Sequence, residues 1–267
     1  MSAAKTRVVK FGGKSLSSPE LVASAALLVA KGFGKGNRLA VVVSAQGRTT
    51  DELLSQLKAA CPNAQRRSYD RVLSFGERLS ASVFGAALES AGVPAVVFDP
   101  HKADWPVISD SSFGDAAIDF EISNLSIRLH VARAISGSVA VIPGFVAKTV
   151  EGDMTTLGRG GSDLTAFILA RCLQADELVK VTDVDGFYVD GKKVDRAQAG
   201  QLQACCKAGD AELYERFNSL IQPKALEHFV PPTLLRIISH ASASLDASGS
   251  VIFPDGMDAE PPEAAAP

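Results

Sequence analysis

The segment 158–165 combines the residue types that bind an acidic small molecule. It holds three glycines, the guanidinium of Arg159, a serine hydroxyl and the carboxylate of Asp163, and the mostly apolar residues 166–173 then predict a helix. Glycines let a backbone approach an anion closely, and the first turn of a helix offers free N–H groups and a positive dipole end. Arginine adds a planar fork of donors suited to a carboxylate or a phosphate.

Three further segments place a short apolar run before small polar residues and glycine. Each run predicts a buried strand that leads into a loop: 7–11 into Gly12-Gly13-Lys14-Ser15, 39–43 into 44–50, and 178–181 into 182–188. In an open parallel sheet, the loops at the carboxyl ends of the strands form the ligand crevice. The pattern therefore predicts one binding site built from several loops.

Alternating helix and strand signals connect these loops. Ser18 and Pro19 predict the start of a helix that ends at Gly32. A second helix is predicted after residue 51 and a third over 77–91, and residues 93–98, 139–142, 234–238 and 250–253 predict strands. Residues 191–193 predict a surface turn, and 103–128 a hairpin or a lid. This order predicts an α/β fold with a mostly parallel sheet and helices on both faces.

Six motifs follow one another along the chain: Val9-Lys10-Phe11-Gly12-Gly13 with Ser15, Val43-Ser44-Ala45 with Gly47 and Thr49-Thr50-Asp51, Ser74-Phe75-Gly76-Glu77-Arg78-Leu79-Ser80-Ala81, Pro143-Gly144-Phe145, Thr155-Thr156-Leu157-Gly158-Arg159-Gly160-Gly161-Ser162-Asp163, and Val181-Thr182-Asp183-Val184-Asp185-Gly186. Together they resemble the amino acid kinase family and, within it, the catalytic domain of the aspartokinases. The resemblance extends from Arg7 to Phe253. It implies the family's three-layer α/β sandwich, which is also that of carbamate kinase, with a mostly parallel central sheet.

The expected domain division follows from this resemblance. One kinase domain is predicted over residues 1–253, with a substrate half over 1–175 and a nucleotide half over 176–253. Residues 254–267 are rich in Pro, Ala and acidic residues and predict a disordered tail. Full-length aspartokinases carry C-terminal ACT domains that this sequence does not include, so we expect inhibition through such domains to be missing from this polypeptide.

The resemblance implies transfer of the ATP γ-phosphoryl group to the side-chain carboxylate of L-aspartate, which gives β-aspartyl phosphate. In such a transfer the protein contributes positioning and charge neutralisation. Lys10 matches the catalytic lysine, and Asp163 matches the aspartate that orients it. Asp163 is also a candidate N-cap for the helix that follows.

The binding residues that the resemblance implies fall into two sets. On the substrate side they are Thr49, Glu77, Phe145, Arg159, Gly160 and Ser162, with Arg159 expected on a substrate carboxylate and Glu77 on its α-amino group. On the nucleotide side they are Gly12, Gly13, Thr182, Asp183, Gly186, Tyr188 and a lysine at 192 or 193, for which we choose Lys193. ATP and Mg²⁺ are the expected cofactors, with Mg²⁺ on phosphate oxygens and no protein residue as metal ligand.

Three departures from the family pattern concern the nucleotide phosphates. Lys14 stands where threonine is usual, and Ser219 and Gln222 stand where the family has a phosphate-binding lysine and a histidine. Asp190-Gly191-Lys192 replaces an Asp-Pro-Arg run. Loss of one cation should weaken ATP binding or transfer. We hypothesise that Lys14 partly compensates; the alternative is that it faces water.

Composition excludes several other classes of protein. A net charge of −3, from 27 basic and 30 acidic residues, gives no support for nucleic-acid binding. No apolar run approaches a membrane span, and the N-terminus lacks a signal-peptide core. The cysteines at 61, 172, 205 and 206 fit neither a metal site nor a disulfide framework. We therefore expect a reduced, cytoplasmic protein without a membrane partner.

Three functions stay open from the sequence. The first is an aspartate kinase, the second a kinase for a related amino acid or small carboxylate in a specialised pathway, and the third a non-catalytic nucleotide-binding homologue. All three imply a small-molecule ligand, and the family resemblance implies a homodimer.

Overall fold

The structure is a computed structural model that describes residues 4–189, 191–200 and 221–257. Its strands, in chain order, are β1 (Thr6–Phe11), β2 (Arg38–Val43), β3 (Ala95–Val97), β4 (Val139–Pro143), β5 (Val146–Lys148), β6 (Met154–Thr156), β7 (Glu177–Thr182), β8 (Phe187–Val189), β9 (Lys192–Val194), β10 (Arg196–Gln198), β11 (Leu234–Ser239) and β12 (Ser250–Phe253). The α-helices of these described residues are α1 (Pro19–Gly34), α2 (Thr49–Ala60), α3 (Arg66–Ser90), α4 (Phe120–Ser126), α5 (Ala132–Ala134), α6 (Gly161–Leu173) and α7 (Pro223–Leu226), with a 3-10 turn at Gly13–Leu16 and a π-helical turn at Ile127–Val131.

Eight strands form one central sheet in the order β10-β12-β11-β7-β1-β2-β4-β3. Neighbouring strands are parallel throughout, apart from the antiparallel pair β11–β12. β1 lies between β2 and β7, and all of its residues are buried. Strands covered on both faces read as continuous aliphatic runs, which is why the sequence pattern predicted this sheet correctly.

Two apolar clusters cover the two faces of the sheet. On one face Val9 and Val41 pack with Phe84 of α3, and on the other Val8 and Val42 pack with Phe167 of α6. Successive side chains of a strand point to opposite faces, so each central strand contributes side chains to both clusters. The result is the predicted three-layer α/β sandwich. None of the helices in the described part of the chain is long and apolar enough to cross a membrane.

Several element boundaries differ from the predictions. α1 continues past Gly32 to Gly34, and the left-handed residue that follows it is Gly36, with φ +84°. The prediction that Asp163 is an N-cap is wrong, because α6 begins at Gly161 and its N-cap is Gly160. The start of the third helix was also wrong, since α3 begins at Arg66 rather than at residue 77.

The predicted start of α1 is confirmed. The hydroxyl of Ser18 caps α1 by accepting a hydrogen bond from Leu21 N at 3.3 Å, with Pro19 at the first helical position. Of the predicted surface turn 191–193, only Gly191 lies at the turn of the β8–β9 hairpin, with φ +71°, because Lys192 and Lys193 already belong to β9. Within the segment 103–128, Ser109 and Ile118 form an isolated antiparallel bridge before α4 begins. The division into two halves stays a prediction, and most of the predicted tail, 258–267, lies outside the described residues.

Gly249 offers a test of how closely β11 and β12 approach. A Cβ added at this position would lie 2.0 Å from the carbonyl oxygen of Ile237, which is backbone and cannot move aside easily. We expect Gly249→Ala to lower the free energy of unfolding by about 1–3 kcal/mol, the usual cost of overpacking. Urea unfolding measures this change. Gly137→Ala is the matched control, because a Cβ there would meet nothing within 4 Å; an equal loss in both variants would contradict the packing described.

Candidate active site

A cavity of about 650 Å³ lies at the carboxyl ends of β1, β2 and β4. Five of the residues predicted on the substrate side line it: Glu77, Phe145, Arg159, Gly160 and Ser162. Among the described residues of that prediction, Thr49 is outside the cavity lining, and its neighbour Thr50 lines it instead. The Thr49 hydroxyl donates to the carbonyl oxygen of Gln46 at 2.7 Å and so stabilises the start of α2.

A second cavity, of about 510 Å³, lies beside the first under the loops that follow β1 and β7. Its lining includes most of the residues predicted to bind the nucleotide: Gly12, Gly13, Thr182, Asp183, Gly186 and Tyr188. Lys193 packs against this lining at Gly186. A Cβ atom added at Gly186 would lie 2.7 Å from Cε of Lys193. The loops predicted from the sequence are therefore brought together in two adjoining cavities.

Lys10 and Asp163 line both cavities and mark the point where they meet. The Nζ atom of Lys10 lies 2.9 Å from Oδ1 of Asp163. Lys180, for which no role was predicted, lies with its Nζ 2.9 Å from the other oxygen, Oδ2. Lys10 on β1 and Lys180 on β7 are register partners in adjacent parallel strands, which brings both side chains to the same carboxylate.

Lys10, Lys180 and Asp163 form a trio whose charges determine the protonation of its members. Burial pushes the pKa of Asp163 upward, but the ammonium groups of Lys10 and Lys180 outweigh it and hold that pKa below its usual range. Burial lowers the pKa of Lys180 to about 8, although Asp163 opposes the shift. Asp163 is thus a carboxylate with both oxygens engaged, suited to holding two cations rather than to accepting a proton.

Glu77 on α3 is a second buried carboxylate in the first cavity. Its Oε1 accepts a hydrogen bond from Ala45 N at 3.3 Å, and no described residue donates to its Oε2. Burial raises the pKa of Glu77 to about 7, against the opposing hydrogen bond from Ala45. A buried carboxylate oxygen without a donor is costly. An ammonium group of a ligand would supply the missing donors.

Asp70, one more cavity residue on α3, was missed by the sequence analysis. Its carboxylate accepts hydrogen bonds from Gly114 N at 2.9 Å, Thr156 N at 3.1 Å and Thr156 Oγ1 at 2.8 Å. Burial raises the pKa of Asp70, and these three donors oppose the shift. Through these hydrogen bonds, Asp70 links the segments that contain Gly114 and Thr156 to α3. Its position two helical turns before Glu77 was the available signal, because such residues share a helix face.

Glycines let the backbone segments of the site come close together. Gly160 has φ +73°, and a Cβ there would lie 1.8 Å from Cγ of Gln222. A Cβ at Gly144 would lie 2.8 Å from Cβ of Ser162. Gln222, the residue that replaces the family's histidine, thus packs directly against the loop that carries Arg159. Ser219 lies outside the described residues.

Lysines neutralise the acidic side chains beside the second cavity. Lys14 Nζ lies 2.9 Å from Oδ2 of Asp183, whose pKa this hydrogen bond lowers. Lys193 Nζ lies 3.0 Å from Oδ2 of Asp185, and the Tyr188 hydroxyl donates to Oδ1 of Asp185 at 2.7 Å. Lys14 is largely exposed, yet it lines the cavity and pairs with the opposite loop.

Comparison with known proteins shows which family the chain belongs to. The sequence model described as the amino acid kinase family matches residues 5–212. The chain belongs to the amino acid kinase family. An aspartokinase of Thermus thermophilus is 41% identical over 181 residues, which are 68% of this chain and 43% of that protein. The chain spans about half the length of the curated relatives it matches.

Solved structures of family members share the fold. The aspartate kinase of Synechocystis superposes with a TM-score of 0.76 at 28% identity, over 95% of this chain and 41% of that one. Aspartokinase III of E. coli, in a complex with aspartate and ADP, superposes with a TM-score of 0.78 at 22% identity, over 95% of this chain and 66% of that one. The predicted amino acid kinase fold is therefore confirmed.

The buried carboxyl group of Glu77 should make the free energy of unfolding depend on pH. Its pKa in the folded protein, about 7, lies above the unfolded value of 4.5, so its cost to stability begins as pH rises through 4.5 and is complete above pH about 7. We expect Glu77→Gln to raise the free energy of unfolding at pH 8 by about 1–3 kcal/mol. The gain should shrink as pH falls to 5, where the folded protein holds Glu77 protonated.

Urea unfolding of the ligand-free protein at the two pH values measures this effect. Glu52→Gln is the control, because Glu52 is exposed on α2. A Glu77→Gln gain that is the same at both pH values, or that the control reproduces, would contradict the account.

Proposed function

We propose that this protein transfers the γ-phosphoryl group of ATP to the side-chain carboxylate of L-aspartate and forms β-aspartyl phosphate. The observation that carries the proposal is the junction of two differently built cavities at Lys10 and Asp163. One cavity offers charges for an amino acid, and the other offers glycine loops and cations for phosphates. The similarity to aspartokinases over most of the chain supports L-aspartate as the acceptor.

The first cavity has a charge pattern that suits an acidic amino acid. Arg159 presents a guanidinium to it, and Glu77 presents a buried oxygen to which no described residue donates. A guanidinium binds a carboxylate with paired hydrogen bonds. With the α-carboxylate on Arg159 and the α-ammonium on Glu77, the side-chain carboxylate is left to approach Lys10.

The reaction follows from the geometry at Lys10. An oxygen of the substrate carboxylate forms a bond to the γ-phosphorus, while the bond from that phosphorus to the β–γ bridging oxygen breaks and ADP leaves with the electron pair. The attacking carboxylate is already ionised at neutral pH, so no general base is needed. Asp163, with both oxygens on lysines, therefore positions cations and does not remove a proton. Lys10 lies where the transferred group crosses between the cavities and stabilises its charge.

Mg²⁺ fits this site as a companion of the nucleotide. The part of the chain that the structure describes holds no group of three or more His, Cys, Asp or Glu side chains able to bind a metal. The nearby carboxylates of Asp163, Asp183 and Asp185 are already paired with lysines. Mg²⁺ would therefore bind phosphate oxygens and water, and it would neutralise phosphate charge.

A hydroxamate assay tests the proposed reaction. The purified protein with ATP and Mg²⁺ is offered L-aspartate or related amino acids and small carboxylates, and hydroxylamine traps any acyl phosphate. Hydroxamate from L-aspartate supports the proposal. Hydroxamate from another acid but not from L-aspartate would show that the acceptor is that other acid. Nucleotide binding without hydroxamate from any acid would favour a non-catalytic homologue.

Two further parts of the proposal rest on membership of the family. We propose that the protein is a homodimer and that it is cytoplasmic. Light scattering of the purified protein tests the first part, and a monomer at micromolar concentration would contradict it. Cell fractionation tests the second.

Removal of the Arg159 guanidinium should weaken amino acid binding selectively. We expect Arg159→Ala to raise KM for L-aspartate about 10–100-fold, since a charge-assisted hydrogen bond contributes about 1.5–3 kcal/mol. KM for ATP should change much less. Arg38→Ala is the control, because Arg38 is exposed at the start of β2, at the other end of the strand from the cavities. Equal effects of Arg159→Ala on both substrates would contradict the assignment.

A further inference from the structure

Lys180 is a charged residue in the middle of a buried strand. It lies in β7 between Val179 and Val181, which have no exposed surface, and is itself only 7% exposed. A buried ammonium group is unfavourable unless it is paired, and Asp163, whose carboxylate pairs with Lys180, also pairs with Lys10. Aliphatic side chains would fill such a strand position at no electrostatic cost.

Lys10, Lys180 and Asp163 together carry more positive than negative charge. Two ammonium groups flank one carboxylate, and Lys10, Lys180 and Asp163 are 8%, 7% and 7% exposed. Burial and the ammonium group of Lys10 lower the pKa of Lys180, and Asp163 opposes the shift. Both ammonium groups would attract an anion bound beside them.

The position of Lys180 indicates which anion this is. Lys180 lines the second cavity together with Gly12, Gly13 and Lys10, where the glycine loop gives close access to the backbone. Phosphate groups bind readily to such a combination of glycine backbone and cations. Lys180 is in the lining of the second cavity and not in that of the first. Lys180 thus faces the nucleotide.

We propose that Lys180 is a second catalytic lysine, which contacts the terminal phosphates of the nucleotide and neutralises the charge of the γ-phosphoryl group during its transfer. This inference rests on the proposed function and names one more residue of the same site. Lys10 and Lys180 then hold the transferred group from two strands, and Asp163 sets the spacing between them. The oxygens of the migrating group stay anionic throughout, and no proton moves.

Lys180→Met tests the proposal, with Lys148→Met as the matched control. Lys148 is a strand lysine on β5 whose Nζ donates to the carbonyl oxygen of Lys102 at 2.7 Å, away from both cavities. We expect Lys180→Met to lower kcat about 10²–10³-fold, the usual cost of losing one preorganised electrostatic contact. KM for L-aspartate should stay near the wild-type value. Lys148→Met should keep kcat.

Measurements of nucleotide binding test the role of Lys180 independently of which acid the protein phosphorylates. Calorimetry with ADP and with a non-hydrolysable ATP analogue needs no acid substrate. Lys180→Met should weaken binding of the ATP analogue more than that of ADP, because the analogue carries the γ-phosphoryl group. This result would support the role of Lys180 even if the wild-type protein phosphorylated no acid. Unchanged kcat and unchanged affinity for the analogue would overturn it.

Lys180→Arg tests the role of Lys180 through the pH dependence of kcat/KM for ATP, which would not change if Lys180 were purely structural. kcat/KM for ATP reports ionisations of the free protein, so in the wild type it should fall above pH about 8 as Lys180 loses its proton. Arginine stays charged, and we expect this alkaline fall to disappear in Lys180→Arg. If Lys180→Met does not fold, this profile decides the question. An alkaline fall identical to that of the wild type would overturn the proposal.

Discussion

The site depends on one carboxylate that holds two lysines. Asp163 lies in the first turn of α6, and its two oxygens bind Lys10 from β1 and Lys180 from β7 at 2.9 Å each. Adjacent parallel strands place in-register residues side by side, so the spacing of the two ammonium groups is fixed by the sheet. In a buried place the interaction is strong, and a single lysine without this partner would be costly.

The surrounding architecture serves to bring two ligands to that carboxylate. α6 can start close to the sheet because Gly160 adopts a left-handed conformation and because Gly144 leaves room for Ser162. Asp70 fastens the outer wall of the first cavity to α3 through Gly114 and Thr156. Oε2 of Glu77, to which none of the residues that the structure describes donates, lowers stability in the absence of a ligand. Such a cost is typical of a binding site, where a polar group is prepared for a partner.

Sequence patterns predicted the sheet and most of the site because both have local signals. Aliphatic runs mark β1, β2 and β7, and glycine-rich loops mark the strand ends. The first half of α3 was missed because Arg66, Tyr69, Asp70 and Leu73 line the cavity, so the helix has no apolar stripe there. Lys180 was missed because its role arises from strand register, which no neighbouring residue in the sequence reveals. A lysine inside an otherwise aliphatic strand was the available signal.

A structure with a planar phosphoryl mimic would test the central claim most directly. Crystals grown with ADP, L-aspartate and aluminium fluoride would trap the arrangement of the transferred group. The account predicts that the fluoride lies between the two cavities, within hydrogen-bond distance of Lys10 and Lys180, with both oxygens of Asp163 still on the lysines. A mimic bound away from this junction, or one held directly by Asp163 with Lys180 turned away, would contradict the account.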